Sequence, residues 1–124
     1  MTSIYSNPKS WGSPAWVFLH CISLTYPKKP TVEERAEYKV FFESLVHVLP
    51  CPSCRVAYEK WIHEHPIDPF LSSRKKLSEW VIDLHNDVNF RNQSTVMSRK
   101  KALSTIKKDC RKYKKIATEM NNTI

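Results

Sequence analysis

One glycine in 124 residues, Gly12, narrows what this chain can fold into more than any other feature. Tight hairpins depend on positive-φ positions that glycine fills without strain, so hairpin-rich β-sandwiches and barrels are disfavoured. Neither a Walker phosphate loop nor a glycine-rich dinucleotide fingerprint can be written with a single glycine. Punctuation falls instead to eight prolines, which separate segments whose apolar residues recur every three or four positions.

Those segments read as helices. Ser13-Pro14 predicts a start, with serine as cap and proline in the first turn, and Trp16, Leu19, His20, Ser23 and Leu24 share one broad face. Tyr26-Pro27 ends it. Thr31 and Glu34 form a capping box opening a second helix with the stripe Tyr38, Phe41, Phe42, Leu45, Val48 and Leu49. Pro50 stops that helix, and Cys51-Pro52-Ser53-Cys54 begins a third, continued by Tyr58, Trp61 and Ile62. Pro66 and Pro69 bound a loop. A fourth helix runs from Ser73 to Phe90 with Leu77, Trp80, Val81, Leu84 and Val88. Ser98 caps a fifth, with Leu103, Ile106, Cys110 and Tyr113 on one face. The expectation is an all-α fold: an antiparallel four-helix bundle over residues 1–98, with a short basic C-terminal helix and tail over 99–124 in the same single domain.

Charge is concentrated at that end. Residues 99–115 hold nine basic residues and one acid, a balance equal to the net +8 of the whole chain. The favoured reading is a solvated helix face with one or two cations near a bound phosphate, over a nucleic-acid or acidic-partner surface. The apolar run from Pro14 to Leu24 is too short to span a bilayer and lacks a signal-cleavage pattern, so a soluble, unprocessed chain is expected.

Four cysteines without a secretory signal point to redox or metal chemistry. Cys51 and Cys54, three apart at a helix start, can close a small redox disulfide. The partial positive charge of the helix N-terminus favours thiolate there. The alternative is a zinc-stabilised helical module binding nucleic acid, with Cys51 and Cys54 as a zinc half-site. It needs two further ligands, and Cys21, Cys110, His63 and His65 form no second pair at convincing spacing. Thioredoxin-like strands are missing from the pattern, and no metal is expected.

Four ordered segments carry a resemblance. Trp11-Gly12-Ser13-Pro14-Ala15-Trp16 leads to His20; Tyr26-Pro27 follows; then Leu49-Pro50-Cys51-Pro52-Ser53-Cys54-Arg55; then Trp80 with His85-Asn86-Asp87-Val88-Asn89-Phe90-Arg91. Together they resemble the Erv/ALR family of FAD-linked sulfhydryl oxidases, most nearly its small single-module DNA-virus members, over about residues 7–98. The resemblance implies a helical bundle holding FAD. It also implies oxidation of substrate thiols to disulfides through the CxxC, with electrons passing to FAD and then to O2, giving H2O2. Cys54 would be the flavin-proximal thiolate and Cys51 the interchange cysteine. Gly12, Ser13, Trp16, His20 and Tyr26 fall at cofactor-pocket positions, and Trp80, His85, Asn86, Val88, Asn89 and Arg91 surround the adenosine and phosphate half. The implied partners are a dithiol protein or thioredoxin-like relay protein, O2 and a second copy in a homodimer; the resemblance to viral members, with no signal segment read, implies action in the host cytoplasm or the virion. No second CxxC exists to act as a shuttle. Cys21 and Cys110 match no family position; both are expected to be buried and reduced, in preference to a Cys21–Cys110 or an intermolecular disulfide.

Overall fold

The computed structural model describes residues 3–113. Five α-helices follow one another: α1 (Pro8–Leu24), α2 (Val32–Val48), α3 (Pro52–Glu64), α4 (Arg74–Arg91) and α5 (Arg99–Arg111). A short 3-10 helix, Asp68–Ser72, joins α3 to α4, and no strand occurs among the described residues. The fold is the expected all-α bundle: α1 packs on α4, α2 on α3, and α5 adds to the α4 side.

Local chemistry explains most boundaries. The Thr31–Glu34 capping box is complete, with Thr31 Oγ1 accepting from Glu34 N at 3.1 Å and Glu34 Oε1 accepting from Thr31 N at 2.8 Å. Ser73 and Ser98 accept from the backbone N–H three residues on, each at 3.2 Å. Two expectations need correction. First, α1 begins at Pro8, one turn and more before Ser13-Pro14. Asn7 and Pro8 make a competing start of the same kind, and Asn7 Oδ1 accepts from Lys9 N at 3.0 Å. Pro14 therefore lies inside the helix, where the Ser10 carbonyl loses its helical partner. Second, the Pro66–Pro69 loop is partly ordered as the 3-10 turn, which buries Leu71.

The core is aromatic. Trp80 is 1% exposed and meets Phe42 and Trp61 edge-on, at centroid distances of 5.5 and 5.2 Å. Three of the buried rings pair their polar atoms with backbone carbonyls. Trp80 Nε1 donates to the His65 carbonyl at 3.0 Å, Tyr26 Oη to Leu71 O and Tyr58 Oη to Phe42 O, both at 2.7 Å.

The α4–α5 connection shows what glycine scarcity costs. Gln93, with φ of 59°, takes the left-handed position just past α4. Ser94 N donates to Asn89 O at 2.7 Å and Gln93 N to Phe90 O at 3.2 Å, the bond pair of a Schellman helix end. The single glycine is spent elsewhere, in α1, where a Cβ would meet nothing within 4 Å. Gln93→Gly should therefore gain about 0.5–1 kcal/mol by relieving left-handed strain. Gly12→Ala should gain a similar amount, about 0.5–1 kcal/mol, from helix propensity. Urea unfolding of both variants checks the pair, and a loss of stability in either contradicts the backbone argument.

Candidate functional site

Two features on different elements carry chemistry. The first is the start of α3. Cys51 caps the helix with extended backbone, Pro52 occupies its first turn, and Cys54 completes that turn, bringing the two Cα atoms to 5.1 Å in a disulfide. Cys51 Sγ accepts from Cys54 N at 3.2 Å and sits 3.2 Å from Ser53 Oγ. A thiolate at Cys51 is thereby stabilised by a backbone donor, a hydroxyl and the helix N-terminus together. Arg55 Nη1 donates to Leu49 O at 2.8 Å and clamps the segment leading into the pair. Cys51 is the more buried sulfur bearer, at 6% exposure, while Cys54 is half-buried.

The second feature is a cavity of about 450 Å³ between α1, α4 and α5. Trp16 stacks flat on His85, with centroids 4.0 Å apart and planes 8° from parallel. His20 Nε2 lies 3.0 Å from His85 Nδ1, so one imidazole donates and the other accepts. Burial, with a smaller contribution from His85, lowers His20 to about 4. Burial lowers His85 as well. Both rings are neutral at physiological pH, and the hydrogen bond between them requires at least one to remain so.

The sequence-based candidates divide. Ser13, Trp16, His20, His85, Asn86 and Asn89 line this cavity. Asn86, however, has both amide groups engaged: Nδ2 donates to Met97 O at 2.7 Å and Oδ1 accepts from Met97 N at 3.1 Å. Asn89 Nδ2 donates to Thr95 O at 3.2 Å. The two asparagines pin the loop that delivers α5. Tyr26 and Trp80 lie in the core, Arg91 is exposed and pairs with Asp87 at 3.0 Å, and Gly12, Val88 and the two bonded cysteines do not line the cavity. Met97, just before α5, and Thr105 and Ile106 on it also line the cavity, and sequence reasoning names none of the three as functional. The apolar stripe of that helix was the available signal.

The cations of α5 mostly turn away from this cavity. Arg99 pairs with Asp83 at 2.6 Å and Glu79 at 3.6 Å. With Lys100 and Lys107 it lines a separate cleft of about 870 Å³, opposite Lys28, Arg74 and Lys75. Lys112 alone of the described basic residues lines the first cavity. Lys114 and Lys115 lie outside the described residues. The expectation of two buried cysteines needs correction: Cys21 is exposed and Cys110 only half-buried, because both sit where α5 meets α1 rather than in the aromatic core. Among the described residues no three metal-ligating side chains converge. His65 spends Nδ1 on the Trp61 carbonyl at 3.0 Å, its ring stacked on the indole.

The family model described as Erv1 / Alr family matches residues 13–116. A probable FAD-linked sulfhydryl oxidase of Acanthamoeba polyphaga mimivirus is 38% identical over 110 residues, covering 88% of this chain and 77% of that protein. The mitochondrial FAD-linked sulfhydryl oxidase ERV1 of Saccharomyces cerevisiae is 36% identical over 78 residues, 63% of this chain and 40% of that longer protein. Among solved structures, the yeast Erv1 core superposes with a TM-score of 0.71 at 30% identity, over 76% of this chain and 78% of that one. The FAD-binding domain of the same yeast protein gives 0.70, also at 30%, over 74% and 86%.

The neutral histidine pair has a pH consequence. The unfolded chain takes up protons near pH 6.5, whereas folded His20 resists until about 4. Stability is therefore complete above 6.5 and falls as pH drops towards 4, by roughly 3 kcal/mol at most. Urea midpoints measured between pH 7 and 4.5 should fall more steeply for the native chain than for His20→Gln. Parallel curves would refute the assignment.

Proposed function

Because the chain belongs to the Erv1 / Alr family, we propose that it is an FAD-dependent thiol oxidase that closes disulfides in dithiol protein substrates and yields H2O2 from O2. The observation that carries this reading is the Cys51–Cys54 disulfide at a helix N-terminus in a bundle that also holds the Trp16–His85 cavity. The fit to a flavin nucleotide rests on the donor set. A flat indole–imidazole stack, two neutral imidazoles and a volume of about 450 Å³ suit a planar heteroaromatic ring with its sugar. FAD, when bound, supplies the two-electron and oxygen chemistry that side chains cannot perform.

The protein's own part is thiol–disulfide exchange. A substrate thiolate attacks Cys51 Sγ, the Cys51–Cys54 bond breaks, and Cys54 leaves as a thiolate within the first turn of α3. The second substrate thiol then attacks the mixed disulfide and releases Cys51, whose thiolate is received by Cys54 N–H and the Ser53 hydroxyl. The substrate leaves oxidised, and both cysteines are reduced. Cys51 takes the interchange role because its sulfur is the better-stabilised thiolate, although Cys54 is the more exposed of the two.

Trp16, His20 and His85 are assigned to holding the cofactor ring, with Ser13 and Asn89 on the same wall. Asn86 positions the α5 wall rather than reaching the ligand. The family resemblance and the exposure of Phe18 on α1 and Val40 on α2, 61% and 67%, support a homodimer. A thioredoxin-like relay protein as electron donor and a cytoplasmic site of action belong to the same proposal. No helix among the described residues is long and apolar enough to cross a membrane.

Purified chain should be yellow, and a dithiol should bleach it and drive oxygen uptake. Cys54→Ser should lower turnover more than about a hundredfold, keep the flavin bound and, when the substrate is supplied in its disulfide form, trap it as a mixed disulfide on Cys51 as one substrate thiol leaves. Mass mapping that instead finds substrate trapped on Cys54 in Cys51→Ser, with none on Cys51 in Cys54→Ser, reverses the two roles. A colourless folded protein from a flavin-replete host rejects the oxidase reading.

A further inference from the structure

Helix α5 is anchored at its beginning by the Arg99 ion pairs and by the Asn86 and Asn89 clamps on the preceding loop. No such polar anchor from the bundle reaches its far end among the described residues. Cys110 stands at that end, half-buried, on the wall of the Trp16–His85 cavity. Val17 and His20 share the wall, one turn before and immediately before Cys21 on α1. Both thiols are free and Cys21 is open to solvent; Cys110 lines the cavity with Val17, one turn from Cys21, and is among the groups that raise the Cys21 thiol, after burial, so the two face one α1–α5 contact. Neither belongs to the CxxC pair or matches the family motifs.

We propose that Cys21 and Cys110 form a second, reversible disulfide that staples the end of α5 to α1 and fixes one wall of the cavity. Burial and the neighbouring Cys110 raise the Cys21 thiol, which slows its exchange, while its exposure to solvent leaves it open to attack. The bond would close a loop of nearly the whole bundle, the case in which a cross-link restricts the unfolded chain most. The oxidant is a Cys51–Cys54 disulfide of another molecule of this chain. Two S–H bonds break and one S–S bond forms between Cys21 and Cys110. The Cys51–Cys54 bond opens to two thiols, taking up the two electrons and two protons. The chemistry requires only the disulfide that the structure contains and does not rest on the oxidase reading.

The test begins with the reduced full-length chain, equilibrated across ratios of oxidised to reduced glutathione, quenched by alkylation and mapped as peptides without reduction. A peptide joining Cys21 to Cys110, in a yield independent of protein concentration, is the expected result. Both thiols alkylated at ratios that close Cys51–Cys54, glutathione adducts on each without a cross-link, or a link between Cys21 residues of two chains would overturn the proposal. The Cys51→Ser/Cys54→Ser double variant should still form the link with oxidised glutathione as oxidant. A colourless preparation without oxygen uptake would thus sink the oxidase reading and leave this map intact. Under oxidising conditions the native chain should also melt several degrees above Cys21→Ser, and the gap should close on adding reductant. Equal midpoints in both conditions would rule out the staple.

Discussion

A buried indole nitrogen sets the arrangement of α3 against α4. Trp80 is enclosed by Phe42 and Trp61, so its N–H has no water to turn to and must find a protein acceptor. The His65 carbonyl, just past the end of α3, provides it at 3.0 Å. That bond fixes the C-terminal end of a 13-residue helix whose other end carries Cys51 and Cys54. The redox pair is thus held from a distance by a core contact, and only its thiol chemistry is local.

Another face of α4 does a different task. Five residues after Trp80, His85 turns towards α1, where it stacks on Trp16 and shares a hydrogen bond with His20. Ser78 Oγ adds a buried bond to Ser23 O at 3.2 Å. Burial without charge is what makes the histidine pair compatible with a flat, largely apolar wall. The same burial makes the wall sensitive to acid. One helix therefore organises both the aromatic core and the cavity, and Asn86 and Asn89 at its end pin the loop that brings α5 into place.

Much of this was legible in the residues. The capping box, the serine caps and the three- and four-residue apolar spacing are local signals, and helices α2 to α5 follow them closely. The disulfide of Cys51 and Cys54 is legible too, although two cysteines three apart at a helix start also suit a zinc half-site until the segments around them are read. The start of α1 is not legible, since two Pro-containing caps compete within one stretch and local rules do not rank them. The bonds of Asn86 to Met97 are not legible in sequence, because a polar side chain in a motif is indistinguishable there from one that satisfies a neighbouring backbone.

The division has a physical basis. Periodicity, capping and glycine scarcity act within a few residues, so the sequence by itself determined an all-helical chain with a reactive pair at one helix start. Where side chains 65 or 89 positions apart meet, as His20 with His85 and Cys21 with Cys110 do, no local rule applies. Packing of α1 and α5 against α4 decided those encounters. Packing also decided that Tyr26 and Trp80 belong to the core, that Trp16 and His85 line a cavity, and that the cations of α5 mostly face away from it.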